Sequence, residues 1–249
     1  LVANGWMQFP IGSEFNVETM RMELTNFAEV VLSPVAQVKF VHTVSAGYVT
    51  AAVFVLAISS WYLIKGRDVA FARRSFAIAS VFGLASSLSV IILGDESGYE
   101  MGDVQKVKLA AIEAEWHTEP APAAFTLIGL PNQETETTDY AIKIPAVMGL
   151  IATRSLDQQV TGLSDLKEQH RERMLNGREA SSLMQQIRGG DKSPATRARF
   201  EEILDDLGYG LLLSAYAEDP MNPSEAELQA AVDASIPKVW PLFWSFRIM

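Results

Sequence analysis

Two stretches of this chain run without a formal charge for longer than a soluble core helix needs. Phe40 to Ile64 spans 25 residues and Ser75 to Gly94 spans 20. As helices rising about 1.5 Å per residue, both can cross a bilayer core of about 30 Å. The expected fold class is therefore all-α, an integral membrane helical bundle fragment with a large, partly helical external loop.

Pro34 is placed to open the first span, Trp61 and Tyr62 suit an interfacial depth, and Lys65-Gly66-Arg67-Asp68 ends it. The short connection to the second span holds Lys65, Arg67, Arg73 and Arg74 against one acid, Asp68, which assigns it to the cytoplasmic side. Ala79, Gly83 and Ser87 recur every fourth residue, a small-residue stripe that lets a neighbouring helix approach closely.

Four regions are expected. Residues 1–33 hold the end of a preceding span and a surface helix over Glu18 to Val31, capped by Asn16, with Met20, Met22, Leu24, Phe27 and Val30 as its apolar positions. Residues 34–94 form two transmembrane helices with a cytoplasmic turn. Residues 95–237 form the external loop, and 238–249 begin a further transmembrane helix. The loop holds 12 Lys and Arg against 25 Asp and Glu, whereas the remainder holds 8 against 5. Within it, helices are expected over Gly102 to Trp116, from a Ser164 cap to about Arg188, from Ser193-Pro194, and after a Ser224/Glu227 capping box. Glu119 to Pro145, with four prolines, reads as irregular. The start at Leu1 and the stop just after an apolar stretch begins suggest an internal piece of a longer membrane protein.

The absence of cysteine excludes a disulfide scaffold, a thiolate zinc site, an iron–sulfur cluster and thiol chemistry. The balance of 20 basic to 30 acidic groups argues against a nucleic-acid partner. His42 is the one histidine inside a span, which makes it a candidate site residue; ligation and ordinary packing against a helix carbonyl stand as equal readings. His42 lies seven residues after Val35, about 10 Å below the outer surface, and Met249 lies eight residues after Pro241, about 12 Å below it. An imidazole and a thioether at one depth suit low-spin haem iron. Arg247 and Lys39 lie near that level and can neutralise haem propionates, although Lys39 can also snorkel to the interface.

The run from Gly94 to Trp116 offers Gln105 as a hydroxyl binder, Lys108 as a cation, and Glu113 and Glu115 as proton acceptors, the parts needed to hold and deprotonate a hydroquinone. A solvated amphipathic helix with pairs such as Lys108 to Glu115 accounts for the same residues. On one continuous helix Lys108 and Glu113 lie about 140° apart, so a shared ligand requires a break or the helix end.

The strings Val-Lys-Phe-Val-His-Thr-Val around His42, Lys-Gly-Arg-Asp from 65, Ala-Arg-Arg-Ser-Phe-Ala-Ile-Ala from 72, Gly-Asp-Glu-Ser-Gly-Tyr-Glu-Met-Gly-Asp-Val-Gln-Lys from 94 and the terminal Phe-Arg-Ile-Met closely resemble subunit I of cytochrome bd-type ubiquinol oxidases. The resemblance covers nearly the whole chain and is weakest from about Asn132 to Asp233. It implies a bacterial inner-membrane terminal oxidase that oxidises ubiquinol, reduces dioxygen to water and generates membrane potential. The implied cofactors are a low-spin haem b (b558), a high-spin haem b (b595) and haem d. The implied partners are oxidase subunit II, small accessory subunits, ubiquinol, dioxygen and membrane lipid. Residue by residue, it implies His42 and Met249 as axial ligands of the low-spin haem iron, Arg247 beside that haem, and Lys108, Glu113 and Gln105 at a periplasmic quinol site. The ligands of the other haems would lie outside residues 1–249. Two other classes stand beside it: a b-type cytochrome electron-transfer subunit of another membrane complex, and a cofactor-free transport subunit.

Overall fold

The computed structural model describes residues 1–249 except Val17, Met20, Lys192 and Met249. The chain divides into two compact units, Leu1–Gln105 and Lys106–Met249.

In the first unit, α1 (Val2–Gln8) precedes a hairpin of β1 (Ser13–Asn16) and β2 (Arg21–Leu24), the short α2 (Phe27–Val31), and two long helices, α3 (Pro34–Ile64) and α4 (Val69–Val104). The hairpin corrects the expected surface helix over Glu18 to Val31. Met20, Met22 and Leu24 alternate with a period of two, which is a strand pattern, and Met20 itself lies outside the described residues. Strand register pairs Ser13 with Leu24 and Asn16 with Arg21. Asn16 caps no helix: its Oδ1 accepts from the backbone N–H groups of Glu18 (2.8 Å) and Thr19 (3.2 Å), which fixes the turn. The helix cap is Asn26, whose side chain accepts from Ala28 and Glu29 at the start of α2.

Pro34 opens α3 at its first turn, as expected, and Lys65 closes it. The helices α3 and α4 are long and apolar enough to cross a membrane. They pack along two stripes of small residues seven apart: Ser45, Ala52 and Ser59 on α3, and Ala72, Ala79 and Ser86 on α4. A seven-residue repeat keeps such a seam facing its partner as the helices wind, and the absence of bulk lets the backbones approach. A Cβ added to Gly83 would meet that of Ala52 at 3.0 Å, so Ala79 and Gly83 take their expected place, with Ser86 rather than Ser87 as the next buried residue. Phe54, Ile78, Val81, Ile91 and Ile92 project outward, leaving apolar faces that only lipid or further helices satisfy.

The second span and the expected helix over Gly102 to Trp116 do not meet where the sequence suggested. The helix α4 continues ten residues past Gly94, breaks at Gln105 (φ −134°, ψ 57°), and α5 (Lys106–Glu113) follows.

In the second unit, α5 is followed by the hairpin of β3 (Phe125–Asn132) and β4 (Thr137–Ile144), then α6 (Val147–Thr153), α7 (Leu163–Arg188), α8 (Pro194–Glu202), α9 (Leu207–Leu213), α10 (Glu225–Ser235) and α11 (Val239–Ile248). The hairpin corrects the irregular reading of Glu119 to Pro145. Phe125-Thr-Leu-Ile and Tyr140-Ala-Ile-Lys-Ile carry the β-branched and aromatic content of strands, and the prolines mark their edges. The fold is thus mainly helical with two small antiparallel hairpins, not all-α.

The start of α7 is capped by Gly162, one residue before the helix, so Ser164 lies inside its first turn; its end at Arg188 is as expected. The Ser193-Pro194 start of α8 and the reciprocal Ser224/Glu227 capping box of α10 are both present. Trp116, Leu163, Leu166, Val239 and Phe243 form one core with Ala110 and Ala111 of α5, and Met174, Leu213, Leu228 and Val232 form another. At the crossing of α7 and α9, a Cβ on Gly177 would sit 2.2 Å from the Asp206 carbonyl oxygen, so only glycine permits that approach.

Candidate functional site

His42 lies one turn before Ser45, on the face of α3 that meets α4. A Cβ placed on Gly94 would come within 3.4 Å of its Cε1. The bare glycine gives the imidazole its room. The Nδ1 atom of His42 is buried and has no hydrogen-bonding partner among the described residues. Leaving such a group unpaired costs about 1–3 kcal/mol, unless a ligand claims the ring. That donor chemistry fits ligation of haem iron. The second expected ligand, Met249, lies outside the described residues. Lys39 bonds to Gln8 of α1, and Gln105 also donates to Gln8 Oε1, at 3.2 Å.

In the second unit, Glu113 and Arg247 come together. Arg247, on α11, donates to Glu113 Oε2 at 2.6 Å, and the two side chains are 9% and 6% exposed, Arg247 first. The guanidinium also donates twice to the backbone carbonyl of Thr126, at 2.7 and 3.2 Å. That carbonyl lies beside an interruption of the β3–β4 ladder between Thr126 and Ile128. The rings of Phe125 and Phe243 stand 4.6 Å from the guanidinium carbon and that of Phe246 5.6 Å, a cage suited to a delocalised cation. Arg247 retains one buried nitrogen, Nη1, without a partner among the described residues, which fits an additional anionic oxygen. Burial raises the Glu113 pKa, with the Arg247 hydrogen bond and charge opposing.

Lys108 does not join this pair. It is exposed, five positions before Glu113 on the same unbroken α5, while Glu113 faces inward. The break that a shared ligand would require falls at Gln105, before both residues.

The chain reverses after Glu113. Ala114 takes a left-handed conformation (φ 54°), and Glu115 N donates to Ala110 O at 2.8 Å, an ending usually built on glycine. The turn sends Glu115 away from Arg247 into a cavity of about 240 Å³ lined by Trp116, His117, Glu119, Glu136, Thr138 and Lys143, among others. Glu115 is 4% exposed, and its Oε1 has no partner among the described residues. Burial, foremost, and the nearby Glu119 push its pKa up to about 7, with Lys143 opposing and Glu113 adding to the rise. The cation at this cavity is Lys143, paired to Glu119, and not the Lys108 that helical spacing offered as a partner for Glu115. Sequence reasoning named Glu115 without separating it from Glu113, and it missed the aromatic cage and the Thr126 carbonyl, which depend on a hairpin the sequence reading did not contain.

Two helices long and apolar enough to cross a membrane, and a second unit of helices and a hairpin, fit the class of integral membrane proteins. The chain belongs to the cytochrome bd terminal oxidase subunit I family, whose model matches residues 1–249. It is 53% identical over its full 249 residues to the cytochrome bd-II ubiquinol oxidase subunit 1 of Escherichia coli (strain K12), of which it spans 48%. It is 29% identical over 170 residues, 68% of the chain, to the cytochrome bd ubiquinol oxidase subunit 1 of Bacillus subtilis (strain 168), spanning 36% of that protein. The fold is similar to that of the bd oxidase from Geobacillus thermodenitrificans, with a TM-score of 0.58 and 21% identity, over 99% of this chain and 54% of the other.

Proposed function

We propose that this chain forms the quinol-oxidising part of a bd-type terminal oxidase in a bacterial inner membrane. Residues 95–237 lie on the periplasmic side, and the Lys65–Arg74 turn lies in the cytoplasm. The complete complex oxidises ubiquinol, reduces dioxygen to water and generates membrane potential. It works with subunit II and small accessory subunits, and it carries haem b595 and haem d on residues beyond this chain. Membership of the family favours this reading over a cytochrome subunit of another complex or a transport subunit.

His42 and Met249 would hold a low-spin haem b558, and Arg247 would offer its unpaired nitrogen to an anionic substituent of that cofactor. When bound, that group supplies a one-electron acceptor for quinol electrons. Lys108, exposed near the start of α5, would present its ammonium to a quinol oxygen, with Gln105 as a further hydrogen-bonding contact. Glu113 contributes to the site through Arg247, holding the guanidinium in place. The observation that carries the reading is the buried, unpartnered His42 nitrogen facing Gly94.

The test is a reduced-minus-oxidised spectrum of the purified full-length complex. Loss of the low-spin b bands in His42→Ala, with the remaining haem bands retained, supports the assignment. Unaltered low-spin bands in that variant refute it.

A further inference from the structure

Glu113 was expected to accept the quinol proton, yet its carboxylate is taken up by Arg247. Two residues on, a second carboxyl has the opposite situation. Glu115 lines a cavity whose walls mix charged side chains with apolar surface, is almost wholly buried, and leaves Oε1 without a partner among the described residues. The left-handed Ala114 between them turns the two side chains to different neighbours. We propose that Glu115 is the proton-relay residue of this unit, taking up protons released by quinol oxidation and passing them through the cavity to external water.

This inference rests on the quinol-oxidising reading above. Oxidation of one quinol releases two protons and two electrons. The electrons leave singly to a haem acceptor, and Glu115 carries the protons one at a time, as carboxylate becoming carboxylic acid and then losing the proton to cavity water. Nothing else is consumed or formed. Titratable groups line the same cavity from the neighbouring elements, Glu119 and His117 from the following loop, Lys143 from β4 and Glu136 from the hairpin turn, while Glu113 of α5 acts on this carboxyl through its charge from outside the cavity. Lys143 is paired with Glu119, and Lys167 with Glu136 and Asp233, so Lys143 only partly offsets the burial that favours the neutral form of Glu115. A carboxyl half-protonated near neutral pH both accepts and releases a proton readily, which a strongly paired carboxylate such as Glu113 does not. Trp116 lines one side of the cavity and is held there by its Nε1, which donates to Thr138 Oγ1 at 2.9 Å.

The experiment uses the purified full-length complex with a short-chain ubiquinol. Glu115→Gln is expected to lower kcat about a hundredfold, the lower end of the range for a lost proton-transfer group. KM and haem spectra should stay at wild-type values, and the limb of the pH–rate profile near pH 7 should disappear. Infrared difference spectra of the wild type should show a protonated-carboxyl band that titrates between about pH 6 and 8 and is absent from Glu115→Gln. Glu115→Asp should restore part of the rate. Wild-type kcat and pH profile in Glu115→Gln overturn the proposal, as does a raised KM at unchanged kcat. If Glu115→Gln fails to assemble, the wild-type infrared titration decides, and the lack of a titrating carboxyl band overturns it. A wild-type complex that oxidises no quinol instead refutes the reading on which the inference rests.

Discussion

The Arg247–Glu113 pair makes an asymmetric prediction. Removing the carboxylate by Glu113→Leu leaves a guanidinium that cannot shed its proton, only 9% exposed and facing three aromatic rings. A buried charge stripped of its partner costs about 3–5 kcal/mol. Removing the cation by Arg247→Met is milder, because Glu113 is already biased by burial toward its neutral form and can protonate. What remains is the loss of two hydrogen bonds to the Thr126 carbonyl, about 1–3 kcal/mol for an acceptor left unsatisfied. The double variant removes both charges and should cost less than Glu113→Leu alone, giving a coupling larger than the Arg247→Met cost itself, at least about 1 kcal/mol and outside the scatter of independent sites. The assay is amide hydrogen exchange of the complex over the β3–β4 hairpin and α5, where protection reports local opening. Equal single costs that add within about 0.5 kcal/mol would refute the argument, since they would mean the two charges do not depend on each other.

The other predictions are shorter. Glu115 has a folded-state pKa of about 7 against an ordinary 4.5, so between these values the folded chain binds more protons than the unfolded one. The contribution of Glu115 to the stability of the second unit should therefore fall by about 3 kcal/mol as pH rises through that window. Hydrogen exchange corrected for intrinsic rates checks this, and Glu115→Gln should flatten the curve. Gly177→Ala forces a methyl against the Asp206 carbonyl and should weaken the α7–α9 contact by about 1–3 kcal/mol; unchanged protection of the Ser214 amide, which bonds to Gly210, would contradict it. Lys108→Ala should lower quinol oxidation while leaving haem content intact, and undiminished activity removes Lys108 from the quinol site.

What was legible in the sequence tracks how local the physics is. Pro34, Lys65, Pro194 and the Ser224/Glu227 box announce helix ends through groups within four residues of one another, and the structure has those ends. The small stripe on α4 is legible for the same reason, since helical periodicity maps directly onto a face. The two hairpins were missed because short strands carry a weaker signal. At Met20, Met22 and Leu24 a period of two runs into Phe27 and Val30, whose spacing is helical, and at 119–145 four prolines mask the β-branched runs they flank. The Arg247 site was legible only as a set of separate residues. Its geometry joins positions 113, 126 and 247, and no local pattern says that Glu113 faces Arg247 while Lys108 faces solvent.

The left-handed Ala114 sets a condition on sequence change in this unit. Because one backbone dihedral assigns neighbouring acids to separate surroundings, gaining or losing a single residue between 113 and 115 would take Glu115 out of its cavity while Glu113 kept its place at the end of α5. Alanine accepts that dihedral at modest strain and glycine or asparagine would accept it more readily, whereas a β-branched residue would unwind the reversal. The identity of this small, chemically inert position thus governs where two reactive ones point.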